Sequence, residues 1–392
     1  VTESEEGLRM LGLRLAVAEQ ARPPGGPPTA REAVRAVEAE LADVLDDALA
    51  RARDTDPVYA RDVADRLAAF VRRGGRRMRA AFAWCGWQAA GGTGDPAPVL
   101  RTGAALELLQ ACALVHDDVM DGSALRRGAP ALHVEFAELH RATTPGGDGT
   151  AFALSAAVLA GDLALTWADD LMADTALDSP HGRRLLREWR AMRGEMVAGQ
   201  YRDLHAQATG ASGMDEAMTV ATLKSALYTV ERPLALGATL AGAGADATEA
   251  LRRAGRSAGL AFQLRDDLLG AFGDPALTGK PADDDLRTRK LTCLLAAGVR
   301  LAEATGDTEA AAALAVGAPT GTEQDLRRMR AALTRTGARK AVESRIGELA
   351  EDALRHFGST GAHPAVRREF AALVERAAGV ALDHGDVPGE EA

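Results

Sequence analysis

Aromatic side chains are scarce in this chain, at 4% of 392 residues, while Ala, Leu, Arg, Glu and Asp dominate. Strands draw on aromatic and β-branched residues, whereas Ala and Leu lose little entropy in a helix, so the balance predicts an all-α protein. Cysteine is rarer still. Cys85, Cys112 and Cys293 stand far apart with no CxxC or Cys/His spacing. That excludes a disulfide framework or a zinc site and makes a reducing cytosol the expected, cytoplasmic compartment. An excess of basic charge is also missing: the formal net charge is −10, the wrong sign for a general nucleic-acid binder. The longest near-apolar run, Ala151 to Ala168, carries Asp162 and many small residues, so it reads as a buried helix and not a transmembrane segment. The first residues, VTESEEGLRM, lack the basic and apolar stretches of a signal peptide.

Clusters of Gly and Pro cut what remains into helix-length blocks. The segment RPPGGPP, Arg22 to Pro28, is expected to separate a flexible N-terminal extension (1–30) from a single domain (31–380), with 381–392 as a mobile tail. Further breaks fall at Gly91 to Pro98, Thr144 to Gly149, Thr209 to Gly213 and Gly317 to Thr322. Between them Ala33, Val37, Leu41, Val44, Leu45 and Ala48 recur at three- and four-residue intervals, which predicts one buried helix face. Leu100 to Val115 and Leu154 to Leu171 are apolar nearly all round, as expected of helices at the centre of a bundle. Ten or more helices packed around such central ones is the predicted architecture.

The sharpest local feature is LVHDDVMDGSALRRGAPALH, Leu114 to His133. Asp117 and Asp121 are four residues apart, so both carboxylates project from one helix face, about 6 Å from each other. Asp118 points away and suits an outer role. Like charges this close repel strongly in a low dielectric. Their place at the end of an apolar helix makes sense if a divalent cation lies between them, and oxygen-only ligands point to magnesium. A solvated helix end capped by Gly122 would account for one such motif. A second cluster downstream, FQLRDDLLGAFGDPALTGKPADDD (Phe262 to Asp285), again sets an Asp pair, Asp266 and Asp267, after an apolar run. The basic residues complete the set: five arginines in RRGGRRMR (Arg72 to Arg79), then Arg126 and Arg127, then Lys224, Lys280 and Lys290. Arginine forks match phosphate oxygens and lysine supplies point charge. Alternating acidic pairs and basic runs are what a site needs to hold magnesium with two polyanionic diphosphates.

These motifs resemble those of the trans-isoprenyl diphosphate synthases, the polyprenyl synthetase family, over about Arg31 to Phe370, and most of all its geranylgeranyl-type members. DDVMDGSALRRG is similar to the family's first aspartate-rich motif, FQLRDDLLG with TGKP to the second, and GGRRMR to the GGKRxR motif, with Arg76 in place of lysine. GQYRDL (Gly199 to Leu204) and Lys224 to Gly237 fit as well. The resemblance implies a helical bundle with a central cavity between two aspartate-rich helices. Asp117 and Asp121 would bind two magnesium ions and Asp266 a third. It further implies that Arg126, Lys224, Lys280 and Lys290 grip an allylic diphosphate. Arg76, Arg79, Gln110 and Arg127 would hold isopentenyl diphosphate, and Ser225 and Gln263 would line the reacting centre. Asp118 and Lys224 would join the catalytic set, and a homodimer is expected.

The implied reaction opens the allylic C–O bond, lets the isopentenyl double bond attack the cation, and ends with loss of a proton. Released pyrophosphate can take that proton, so His116 and His133 are expected to be structural. Cys112 and Ala113, one turn before Asp117, are small; in this family a bulky aromatic there closes the tail pocket. Geranylgeranyl diphosphate is therefore the expected product, with Leu109 or Leu106 as the floor. The chain departs from the family pattern at Gly270, where the second DDxxD would end in aspartate, and in DLRTRKLT, which loosens the register of Lys290. A class I terpene cyclase would need an Asn/Ser/Glu metal motif, and the chain contains no asparagine. A non-catalytic partner subunit would be expected to lose aspartates of the first motif, which is intact.

Overall fold

The computed structural model describes Pro27 and residues 29–143, 149–273, 284–315 and 321–382. Helices dominate, and the strands among the described residues are Leu125–Arg126 and Ala129–Pro130, a two-stranded antiparallel hairpin. Helix α1 (Ala30–Thr55) starts at Thr29, whose hydroxyl accepts from the Glu32 amide, and buries Ala33, Val37, Leu41, Leu45 and Ala48 on the predicted face. A helical turn (Pro57–Tyr59) and a π-turn (Ala60–Ala64) lead into α2 (Asp65–Arg72). Then come α3 (Met78–Ala89), α4 (Ala97–Asp121), α5 (Leu132–Thr143), α6 (Thr150–Leu177) and α7 (Gly182–Thr209). Helix α8 (Met214–Val220) runs through a π-helical segment (Ala221–Glu231) into α9 (Arg232–Leu240) and α10 (Ala245–Phe272). After a turn at Asp284–Arg287 follow α11 (Cys293–Thr305), α12 (Thr308–Leu314), α13 (Glu323–Arg335), α14 (Ala338–Gly358) and α15 (Pro364–Ala378).

Helix α4 is the centre, as its all-round apolar sequence predicts: most side chains from Val99 to Val115 are buried. It packs on α6, α3 and α1, while α10 packs on α14 and the π segment, and α3 crosses α9. On the α10 side, Phe357 stacks on Phe370 at 3.9 Å between ring centroids, and Phe370 meets Phe82 of α3 edge-on.

Helix α6 corrects the expectation of a second fully buried helix. Its inner face is small, with Ala153, Ala156, Ala157, Ala160, Ala164 and Ala168 buried, and that lets α6 lie close against α4. Trp167 and Met172 are buried further along, but Phe152, Leu154, Val158 and Leu159 are exposed. By length and composition α4 and α6 could each cross a bilayer. In the fold 67% of the α4 window is buried and only 44% of the α6 window, so α6 is half core helix and half exposed apolar surface.

Candidate active site

Asp117, Asp118 and Asp121 occupy the last turn of α4, which Gly122 ends with a left-handed cap. Carboxylates are poorly placed there, because the C-terminal end of a helix is already negative. Cations from three other segments compensate. Lys224 Nζ lies 3.0 Å from Asp117, Lys290 Nζ lies 3.1 Å from Asp121, and Arg126 reaches both Asp117 (3.4 Å) and Asp118 (2.8 Å through Nε). Burial by itself works to raise the Asp117 carboxyl, but Lys224, Lys290 and Arg126 outweigh it and hold it below its ordinary value. Asp118 is almost wholly buried and turned to Arg126. There burial prevails over Arg126 and the group is pushed up. Asp118 is thus paired with Arg126.

Lys224 is aimed by the π-helical segment, whose looser winding is shown by the Arg232 amide bonding back to the Leu227 carbonyl. Glycines let this segment sit deep between its neighbours. A Cβ on Gly199 of α7 would come within 2.3 Å of the Lys224 amide nitrogen, and one on Gly259 of α10 within 2.4 Å of the Ala226 carbonyl oxygen. Ser225, next along, is buried. Lys224 also reaches Asp203 of α7 at 2.7 Å, and Lys290 reaches the same oxygen at 3.2 Å. The Lys290 ammonium thus stands in the acidic cluster of α4.

The second cluster ends α10. Asp266 is half-buried and Asp267 fully so. Gln263 donates to Asp267 at 2.7 Å and the Cys293 amide donates at 2.9 Å. Gln263 therefore serves Asp267 directly. Burial, aided by the nearby carboxylates of Asp285 and Asp266, pushes Asp267 up to about 7 against those hydrogen bonds. The departure at Gly270 has a steric counterpart: a Cβ there would lie 2.6 Å from the Asp285 carboxylate. The clash is with the movable end of the Asp285 side chain, so a side chain at 270 would require Asp285 to shift, and in this fold the Asp285 carboxylate stands beside Gly270. Lys280 lies outside the described residues.

The basic loop divides its arginines. Arg72 and Arg73 pair at the surface with Asp46 and Glu135. Arg77 turns inward to Glu107 of α4, at 2.7 Å. Arg76 and Arg79 face the bundle: the Arg76 guanidinium sits 5.3 Å from the Phe262 ring, and Arg79 sits 4.2 Å from the Tyr228 ring with a 3.0 Å bond to Thr229. Arg127 donates to the Gly74 carbonyl, which ties the hairpin to the same loop. Several buried polar atoms here have no partner among the described residues: Arg79 Nε, Gln110 Oε1, the Tyr228 hydroxyl and Asp118 Oδ2. Unpaired buried groups are costly, and a polar ligand would satisfy them. On the tail side, Leu106, Leu109 and Cys112 are buried and Ala113 is half-buried. His116 bonds to the Val158 carbonyl (3.2 Å) and lies 3.6 Å from Asp162, so it joins α4 to α6.

Among the described residues no three His, Cys, Asp or Glu side chains stand close enough to cage a metal ion. Magnesium commonly takes one or two carboxylates and draws its other ligands from water and substrate phosphate. The Asp117/Asp121 pair offers such a set. Sequence reasoning missed Asp203, Tyr228, Thr229 and Glu107. Asp203 lies in GQYRDL with no acidic neighbour, and nothing in the local sequence announces that two distant lysines converge on it.

The fold is all-α, and its candidate site combines clustered carboxylates with lysines and arginines from distant segments. A family model described as polyprenyl synthetase matches residues 61–333, and the chain belongs to that family, the trans-isoprenyl diphosphate synthases. Geranylfarnesyl diphosphate synthase of Aeropyrum pernix is 30% identical over 278 residues, 70% of this chain and 80% of that protein. The (2E,6E)-farnesyl diphosphate synthase of Mycobacterium tuberculosis is 38% identical over 218 residues, 56% of this chain and 55% of that one. The crystal structure of geranylgeranyl pyrophosphate synthase from Corynebacterium glutamicum, complexed with isoprenyl diphosphate and magnesium, is similar with a TM-score of 0.82. It shares 39% identity over 87% of this chain and 97% of its own. The relatives make products of different lengths, so membership defines a prenyltransferase and leaves the product open.

Proposed function

We propose that this chain condenses isopentenyl diphosphate with an allylic diphosphate, releasing pyrophosphate, and that geranylgeranyl diphosphate is its main product. The observation that carries this reading is the convergence of Lys224 and Lys290, from distant segments, on the carboxylates of one helix end. Asp117 and Asp121 hold two magnesium ions and Asp266 a third. Bound there, the metal supplies the positive charge that stabilises departing pyrophosphate more than the ester oxygen. Arg126, Lys224, Lys290 and Lys280 bind the allylic diphosphate. Arg76, Arg79, Arg127 and Gln110 bind isopentenyl diphosphate on the side of the basic loop, where Arg79 Nε and Gln110 Oε1 await a partner. The Ala- and Leu-lined helix walls exclude water, which would quench an allylic cation. The half-buried Ala113 and buried Cys112 leave room for a long tail above Leu109 and Leu106.

The exposed apolar face of α6 supports a homodimer, and three unpaired, buried cysteines suit a reducing cytosol. Incubating the purified chain with isopentenyl diphosphate and each allylic primer tests the activity and reads the product length directly. Asp117→Ala and Asp266→Ala are expected to abolish condensation with the helical circular dichroism intact. Near-normal turnover in either variant would overturn the metal assignment.

A further inference from the structure

Asp203 is a buried carboxylate that touches both lysines of the site. It lies on α7 with about 1% of its surface exposed. Its Oδ2 accepts from Lys224 at 2.7 Å and from Lys290 at 3.2 Å. Its Oδ1 accepts from Gln207, one turn further along α7, at 3.3 Å, which fixes the plane of the carboxylate. Each lysine has a second partner on α4: Asp117 for Lys224 and Asp121 for Lys290. Among the described residues the cluster therefore brings the carboxylates of Asp117, Asp118, Asp121 and Asp203 together with Lys224, Lys290 and Arg126, and each of these cations touches an aspartate read above as a metal ligand.

A lysine ammonium is a well-hydrated point charge on a flexible four-carbon stem, so it stays in a site only while something holds it. Divalent cations held by Asp117 and Asp121 would compete with the lysines for those two carboxylates. Asp203 remains. We propose that Asp203 is a positioning residue that retains both Lys224 and Lys290 at the mouth of the site, poised for the allylic diphosphate, once the α4 aspartates are taken by metal. This inference rests on the site reading given above. It assigns Asp203 no contact with substrate: the residue acts through the two lysines. Isopentenyl diphosphate, held by the arginines of the basic loop, should not depend on it.

The test uses the full chain carrying Asp203→Asn, which keeps size and removes charge. Two readouts are taken: calorimetric binding of inorganic pyrophosphate with magnesium chloride, and steady-state KM for each substrate. Loss of a charge-assisted anchor is expected to weaken pyrophosphate binding and raise the allylic KM by about tenfold or more, with the isopentenyl KM unchanged. Asp203→Glu keeps the charge and moves it along its tether, so it should restore part of the pyrophosphate affinity. If Asp203→Asn does not fold, Asp203→Glu alone decides, with a several-fold rise in the allylic KM only. Wild-type pyrophosphate binding in the variants, or equal shifts of both KM values with a lower melting temperature, would overturn the proposal. Asp117→Asn separates it from its parent reading. If that variant keeps magnesium-dependent pyrophosphate binding, the site reading is wrong. If it loses binding while Asp203→Asn keeps it, only the role of Asp203 falls.

Discussion

Replacing Arg77 with methionine should be among the most damaging single changes to the basic loop, because Arg77 points into the core. Its guanidinium bonds Glu107 at 2.7 Å and the Val71 carbonyl at 3.1 Å. Both charged side chains are about 95% buried, with 5% and 3% of their surfaces exposed. A longer contact to Glu38, at 3.4 Å, adds little because Glu38 is half exposed to water. Arg77→Met strands Glu107 inside α4, and an uncompensated buried charge costs about 3–5 kcal/mol. Arg77 also holds a left-handed backbone (φ 48°) at the entrance to α3, a conformation that its three bonds maintain. For a chain of this length a loss of about 4 kcal/mol lowers Tm by roughly 5 °C. Urea and thermal melts followed by circular dichroism read both values. Replacing the pair together, Arg77→Met with Glu107→Leu, should recover most of the loss, because apolar side chains can fill a buried ion-pair site at little cost. Since the loop also carries Arg76 and Arg79, the single variant should raise KM for isopentenyl diphosphate more than for the allylic substrate. A cost below about 1 kcal/mol, or a double variant no better than the single one, would refute this account.

Two further outcomes are expected. Ala113→Phe places a ring one turn before Asp117 and should shift the main product to a shorter prenyl chain, read by chromatography of the dephosphorylated products; an unchanged product would remove Ala113 from the tail pocket. Burial opposes ionisation of Asp203, yet Lys290 and Lys224 hold its carboxyl below the ordinary value. A depressed folded-state value means the stability it confers is fully present above the unfolded value of about 3.9 and is lost as pH falls through the folded one. Without added metal, the stability gap between wild type and Asp203→Asn should therefore be constant near neutrality and close under acid. A gap that widens as pH drops would reverse the sign and sink the assignment.

Much of this protein could be read from local spacing. The apolar stripe of α1 and the all-round apolar α4 follow from a helical period of 3.6 residues. Asp117 and Asp121 share a face for the same reason, and Gly122 marks where that helix must stop. The five arginines of the basic loop were visible as a group. Which of them turns inward was not, because Glu107, the partner that draws Arg77 into the core, lies 30 residues away. Composition likewise marked α6 as apolar but carried no sign that Phe152, Leu154, Val158 and Leu159 would face outward while a row of alanines is buried.

The sequence by itself determined the helical class, the two acidic clusters and the family to which they belong, since each depends on residues within a few turns of one another. Only the tertiary structure decided that Lys224 and Lys290 meet on Asp203 and that Asp285 stands beside Gly270. Those contacts join segments far apart in the chain, and packing between distant segments leaves no local pattern to read.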